Sequence, residues 1–506
     1  MAAKNEQYDV VLANGRVIDP ETYLDGTFNV GIKGDRIAAI SDQPLKGKEV
    51  IDVSGMIVSP GFIDTHAHGQ NVPSNRIQAF DGLTTALELE MGILPVGEFY
   101  DNCAKEGRPI NYGASSGWGY ARLVTMNPEV AIDGKPQPHL PFVFERFALK
   151  EWTMNVATDK EIKQILAWTE QGIKEGGIGI GVIHGYAPGV GPKELLALWQ
   201  LAKQYNVPTY THIQNISMVD PASGVQSMIQ LMGLAAATGA HTHVCHWNST
   251  SVRDIPTIRD IVQRAQAAGL KVTTEAYVYG AANSAIGAAE FDPKDAEQRL
   301  AVHFSDFTLV RTNKDFIDKK TFVKAREERP GDAVVVHLLR EDDDPHDASL
   351  LDMSVLHPGI AICTDSITWT DEKGTFYEGT DWPVPDGLQS HPRAAGNYAR
   401  FLRKWVRERQ VLSWMDAIRQ ASLNACLILE DYAPALKKKG RLQEGMDADI
   451  IVIDPETVTD TATFKEPCQL SKGMKHVLVN GTFLIRDEEL DTKAMPGRPV
   501  RGPVIA

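Results

Sequence analysis

His66 and His68, in the segment GFIDTHAHG, are the first residues whose types and spacing could do chemistry. Side chains two apart on an extended strand project to the same side, so the two imidazoles converge and can chelate a cation. Later β-rich runs also close on such groups: His212 ends VPTYTHI, His246 ends GAHTHVCHW, and Asp365 ends GIAICTD. Imidazoles gathered with a carboxylate suit one or two divalent metal ions, zinc first, with manganese or iron accepting the same set. Such a cation lowers the pKa of water toward ~7 and polarises a carbonyl, so metal-assisted hydrolysis is the expected chemistry.

Two further positions compete. In GAHTHVCHW, His241 and His243 share a parity that His246 lacks, so both sets face the interior only if a bulge intervenes. His246 is the expected ligand, being nearest the strand's end and followed by loop-like WNST. His184 closes GGIGIGVIH, but the adjoining Tyr186-Ala187-Pro188-Gly189 turn leaves a loop role and ligation equally open.

For these side chains to meet, their strands must end on one rim. Eight candidate strands occur in order: IVSPGFIDTH, LTTALELE, INYGASSGW, GGIGIGVIH, VPTYTHI, GAHTHVCHW, LKVTTEAYVY and GIAICTD. They alternate with amphipathic stretches such as KEIKQILAWTEQGIKEG and PKELLALWQLAKQY, the grammar of βα units. The expected fold is an α/β chain with a (β/α)8 barrel over residues 59–433, active at the C-terminal ends of its strands. Hairpin-like runs at both ends, YDVVLANGRVIDP and FNVGIKGDRIAAIS before and ADIIVIDP and HVLVNGTFLIRD after, predict a small β domain from residues 1–58 and 434–506. The charged interval 284–357, with KAREERPGD and REDDDPHD, is too long for a βα connection and reads as an inserted lid.

Composition narrows the partners. A 506-residue chain with 43% apolar and 23% charged residues is an ordinary globular protein. Its net charge of −15 disfavours nucleic acid and anionic membrane surfaces and favours a small molecule. An acidic substrate would need a local cation against that field. The five scattered cysteines, Cys103, Cys245, Cys363, Cys426 and Cys468, read as buried thiols, and with no apolar leader or span a cytoplasmic location is expected; a homo-oligomer is compatible with all of this.

HPRAAGNYARFLRKWVRE (391–408) resembles the HPR segment of D-aminoacylases, and GFIDTHAHG, GLTTALELE, YAPG, AYVYGA, ADIIVIDPETVTDTATF, HVLVNG and PGRPVRG are similar in the same order. The chain thus resembles the N-acyl-D-amino-acid deacylases of the amidohydrolase superfamily over nearly its whole length. That resemblance implies a metal-bearing barrel, a β-sandwich from both termini and an insert covering the site. It implies His66, His68, His212 and His246 as ligands, Asp365 as catalytic acid/base, and Arg393 with Tyr279 as the grip on the substrate carboxylate. Arg393 has a blander alternative, an ion pair or cap for the helix beginning near Asn397.

Two departures stand out. Met91 occupies the place of a family cysteine ligand and is too soft and neutral for a hydrolytic zinc. Glu88 and Glu90, which share inward parity, offer a bridging carboxylate instead, Glu90 being closer to the rim. Asn248 stands where relatives have a lysine that helps hold the substrate. A cyclic amidase is the alternative activity, but such enzymes bridge their metals with a carboxylated lysine on the fourth strand, and GGIGIGVIHG has none. A non-catalytic scaffold of the same fold would be expected to show broken ligands.

Overall fold

The computed structural model describes residues 7–505. Eight parallel strands follow one another in chain order: β1 Phe62–Asp64, β2 Leu83–Ile93, β3 Asn111–Gly117, β4 Ile180–Ile183, β5 Thr209–His212, β6 Thr242–Val244, β7 Val272–Ala276 and β8 Ala361–Ile362. Seven lie within the eight expected runs, and β2 starts with LTTALELE but continues three residues past it to Ile93. The ring closes beyond the strands proper, where the Thr364 N–H donates to Asp64 Oδ1 at 3.0 Å and the His68 N–H donates to the Ser366 carbonyl at 2.8 Å. All eleven residues of β2 are buried, as expected of a strand with side chains in the barrel on one face and helices on the other.

The first run divides at Gly61. Ile57–Pro60 joins the sheet made by the chain ends, antiparallel to Ile450–Ile453, and Phe62–Asp64 starts the barrel. A Cβ at Gly61 would lie 2.2 Å from the Thr84 methyl, so this crossing needs glycine. The end sheet has nine strands, and Gln7–Asp19 pairs with Lys46–Asp52 along its first half and with Ile57–Pro60 further on. Leu12, Val30, Ile37, Val58, Ile450 and Leu478 fill its separate core.

Outer helices start and stop on local signals. Asp159–Lys174 begins with a reciprocal capping box between Thr158 and Glu161, and turns Ile165, Thr169 and Ile173 inward. Pro192–Tyr205 begins on proline and ends at Asn206 with φ 50°, a left-handed cap that asparagine tolerates.

After β7 the chain leaves the barrel and builds a four-stranded sheet from Ala281–Ala285, Phe307–Leu309, Lys314–Asp315 and Ala333–His337. Phe291, Phe304, Phe307 and Phe322 pack ring to ring beneath it. The helix Pro345–Val355 then packs against the barrel helix Ile255–Ala267 and leads into β8.

Candidate metal centre

The barrel strands and their ends bring two carboxylates and four imidazoles together. His66 Nε2 and His68 Nε2, just past β1, are 3.1 Å apart. Glu90, inside β2, reaches them with one oxygen, Oε2 lying 3.2 Å from His66 Nε2 and 3.6 Å from His68 Nε2. Its other oxygen, Oε1, lies 3.0 Å from His212 Nδ1 at the end of β5 and 2.8 Å from His246 Nε2 beyond β6. Asp365 Oδ1 completes the first pair at 3.4 Å from both His66 Nε2 and His68 Nε2. Potential ligand atoms of His66, Glu90 and His246, and likewise of His66, His68 and Asp365, fall within 4.8 Å of one another, and all are buried.

Backbone geometry beyond the strands aims two of these groups. β6 stops at Val244, and His246 has φ 28°, so the alternation that set His246 against His241 and His243 no longer holds where His246 sits. His241 instead bonds the Tyr432 hydroxyl and Thr273 Oγ1, and His243 bonds Thr273 Oγ1 and approaches Glu275 at 3.2 Å. Asp365, at φ 50°, is also a non-glycine residue in the left-handed region, a local strain that recurs where function dictates side-chain direction.

Charge explains the titration of the cluster. Burial disfavours the charged form of His66, but Glu90, Glu275 and Asp365 outweigh it and raise the pKa well above the usual value. His68 is raised to about 9, burial being overcome by Glu88 and then Asp365; His212 rises to about 10 against burial through Glu290 and Glu90. Glu90 falls well below the usual carboxylate range because His66 and His246 overcome its burial. Asp365 falls to about 2, burial being opposed first by Arg393 and then by His66 and His246. The carboxylates Glu88, Glu90, Glu275, Glu290 and Asp365 all bear on these imidazoles, an excess of negative charge suited to a dication. The donor set therefore fits zinc or a similar ion.

Glu88 occupies a different place from Glu90. Its oxygens lie 2.8 and 3.0 Å from His68 Nδ1, on the side of the ring away from Glu90 and Asp365, so it orients the imidazole. Met91 is buried in the apolar core, and Asn248 bonds the Tyr279 carbonyl and the Tyr277 N–H, fixing the backbone after β7. His184 is buried near His212, and burial draws its pKa down to about 3, leaving it neutral.

The guanidinium of Arg393 is fully buried, with Nη2 in an ion pair 2.8 Å from Asp365 Oδ2, while none of Nε, Nη1 and Nη2 makes a well-aligned hydrogen bond among the described residues. It stacks on Tyr277, 4.1 Å from the ring centroid, and the Tyr277 hydroxyl likewise lacks a partner among those residues. The structure does not bring Tyr279 to this point. Its ring packs on His391 and Phe464 with Arg400 over its face, because the extended strand ends at Ala276 and the chain turns under the hold of Asn248. A cavity of about 550 Å³, bordered by His68, Glu88, Phe99, His139, Phe376 and Glu378, opens beside the cluster.

A model of the amidohydrolase family matches residues 49–485. The chain belongs to the amidohydrolase family. It is 25% identical to N-acyl-D-glutamate deacylase of Alcaligenes xylosoxydans xylosoxydans, over 98% of this chain and 97% of that one. A solved D-aminoacylase superposes with a TM-score of 0.75 at 20% identity, covering 98% of this chain and 100% of the other. N-acyl-D-glutamate deacylase from Bordetella bronchiseptica, solved with zinc and a phosphonate mimic of the tetrahedral intermediate, gives 0.74 at 21% identity with the same coverage.

This amidohydrolase also gathers groups that the strand-end reading missed. Glu275, in β7, meets His66 Nδ1 and the Thr65 hydroxyl, each at 2.5 Å. Its inward parity was legible, but its partners lie on β1 and β6. Glu290 approaches His212 from the insert, where no strand register announces it.

Proposed function

We propose that this amidohydrolase hydrolyses a linear amide, removing the acyl group from an N-acyl amino acid of D configuration to leave a carboxylate and a free amino acid. The observation that carries this reading is the meeting, at Asp365, of a metal-type cluster with a buried guanidinium that has donors to spare. Both relatives named as N-acyl-D-glutamate deacylases, and the D-aminoacylase, support the substrate class.

His66, His68 and Asp365 would hold one cation, His212 and His246 a second, and Glu90 would bridge them; zinc suits these donors. A bound cation supplies Lewis acidity, acidifying water and polarising the amide carbonyl. Asp365 takes a proton from the attacking water and returns it to the leaving amine. Arg393 holds the substrate carboxylate with Nε–H and Nη1–H groups that have no hydrogen-bond partner among the described residues, and the Tyr277 hydroxyl adds a donor beside it. Glu90 takes the bridging place that a fourth-strand lysine fills in cyclic amidases, and β4, Ile-Gly-Val-Ile, offers no lysine. In this reading residues 59–433 carry the chemistry, 284–357 form the lid, and 1–58 with 434–506 form the supporting β domain.

The test is a screen of metal-reconstituted protein against N-acetyl and N-formyl D- and L-amino acids beside cyclic amides. Turnover of the D-series, abolished by chelation and restored by zinc, is expected. Turnover confined to cyclic amides would reverse the assignment, and a preparation that takes up no metal and hydrolyses nothing would point to a scaffold.

A further inference from the structure

Glu290 comes from the insert, in a single helical turn, Ala289–Phe291, rather than from a barrel strand. Its side chain is only 5% exposed, and Oε2 lies 3.4 Å from His212 Nε2. Neither of these two buried atoms makes a well-aligned hydrogen bond among the described residues, to the other or to a third group, so their 3.4 Å approach is an ion-pair contact rather than a formed hydrogen bond. The opposite nitrogen of the ring, Nδ1, points to Glu90 Oε1. Gly185 keeps this edge of the imidazole open, because a Cβ there would come within 2.7 Å of Nε2.

The turn bearing Glu290 is held in place. Arg326 donates to the carbonyls of Ile286, Ala288 and Phe291, gripping both flanks of the turn. The N–H groups of Ile286 and Gly287 donate to the carbonyls of Asp332 and Pro330, each at 2.8 Å. Tyr186, whose ring lies beside His212, donates to or accepts from Ser284 of the same insert at 2.9 Å. A carboxylate fixed against Nε2 is costly unless that nitrogen carries the hydrogen.

We propose that Glu290 is a positioning residue for the metal centre: it accepts the Nε2–H of His212, fixes that tautomer, and leaves the Nδ1 lone pair directed at the cation beside Glu90. The inserted segment thereby completes a ligand that belongs to the barrel. This rests on the reading of His212 as a metal ligand.

The test is equilibrium zinc and cobalt binding to metal-stripped protein against a competing chelator, with the visible spectrum of bound cobalt as a second readout. Removal of such an orienting partner costs roughly 10- to 100-fold in metal affinity, so Glu290→Ala is expected to fall in that range, and Glu290→Gln, whose amide oxygen still accepts, to stay within about threefold of the parent. The cobalt spectrum should change in Glu290→Ala only, and the metal-free unfolding midpoint should hold in both variants. Unchanged affinity in Glu290→Ala overturns the proposal, as does a glutamine variant as weak as the alanine one or a fallen metal-free midpoint. His212→Ala separates the two readings. If it binds metal like the parent, His212 is no ligand; if it loses a metal while Glu290→Ala does not, only the positioning role fails.

Discussion

Arg393→Lys is the substitution that most directly interrogates substrate recognition. Lysine keeps a positive charge beside Asp365, which Arg393 holds at a low pKa, so the acid/base residue is disturbed little. What disappears is the planar fork: Arg393 engages Asp365 at 2.8 Å through Nη2 and still has Nε and Nη1 to offer, whereas one ammonium must serve both carboxylates. A hydrogen bond to a charged group is worth about 1.5–3 kcal/mol, so loss of one predicts a roughly 10- to 150-fold fall in kcat/KM for an N-acyl-D-amino acid. The lost stacking on Tyr277, 4.1 Å away, affects every substrate alike and cancels in a comparison. The assay measures kcat/KM for the N-acyl amino acid and for the matching N-acyl amine without a carboxylate, in both proteins, at equal metal content. The loss should be confined to the acid. An equal loss on the two substrates would refute the carboxylate grip and make Arg393 a support for Asp365 alone.

Metal uptake should depend on pH in a defined direction. Without metal, His68 and His212 titrate at about 9 and about 10 and hold protons at neutral pH, which a cation must displace. Calorimetry in buffers of differing ionisation enthalpy should show proton release and an affinity that rises from neutral pH toward 9; a flat affinity without released protons would contradict the assignment. The two glutamates of β2 should also separate: Glu90→Gln should lower metal stoichiometry, since Glu90 touches all four imidazoles, while Glu88→Gln should weaken binding and keep the stoichiometry, because the Glu88 carboxylate bonds His68 Nδ1. The reverse order in elemental analysis would exchange their roles.

Local periodicity carried the reading of His66, His68, Glu90 and His212, because each lies in or just beyond an extended strand whose direction fixes which residues share a face. Beyond the strand ends that period stops applying. Tyr279, which the resemblance placed at the substrate carboxylate, lies apart from Arg393 while Tyr277 stacks on it, because β7 has ended at Ala276 and the backbone there is held by Asn248, a residue from another strand's loop. Glu275 could be seen to point inward, yet its task depends on two histidines from distant strands. Glu290 was out of reach for a different reason: its position is fixed by Arg326 gripping three carbonyls, a tertiary contact without a sequence period.

The sheet shared by the two chain ends bears on how the protein is made. Ile57–Pro60 finds its neighbour Ile450–Ile453 only after the barrel and insert have been synthesised. At ~5–20 residues per second, the intervening stretch of about 390 residues leaves that strand edge without its neighbour for roughly 20–80 s on the ribosome. An uncovered edge is a template for pairing with other nascent chains. The strand Ile450–Ile453 is therefore what releases the growing chain from that hazard, and a nascent chain stalled before Ile450 would carry an open apolar edge however well its barrel had formed.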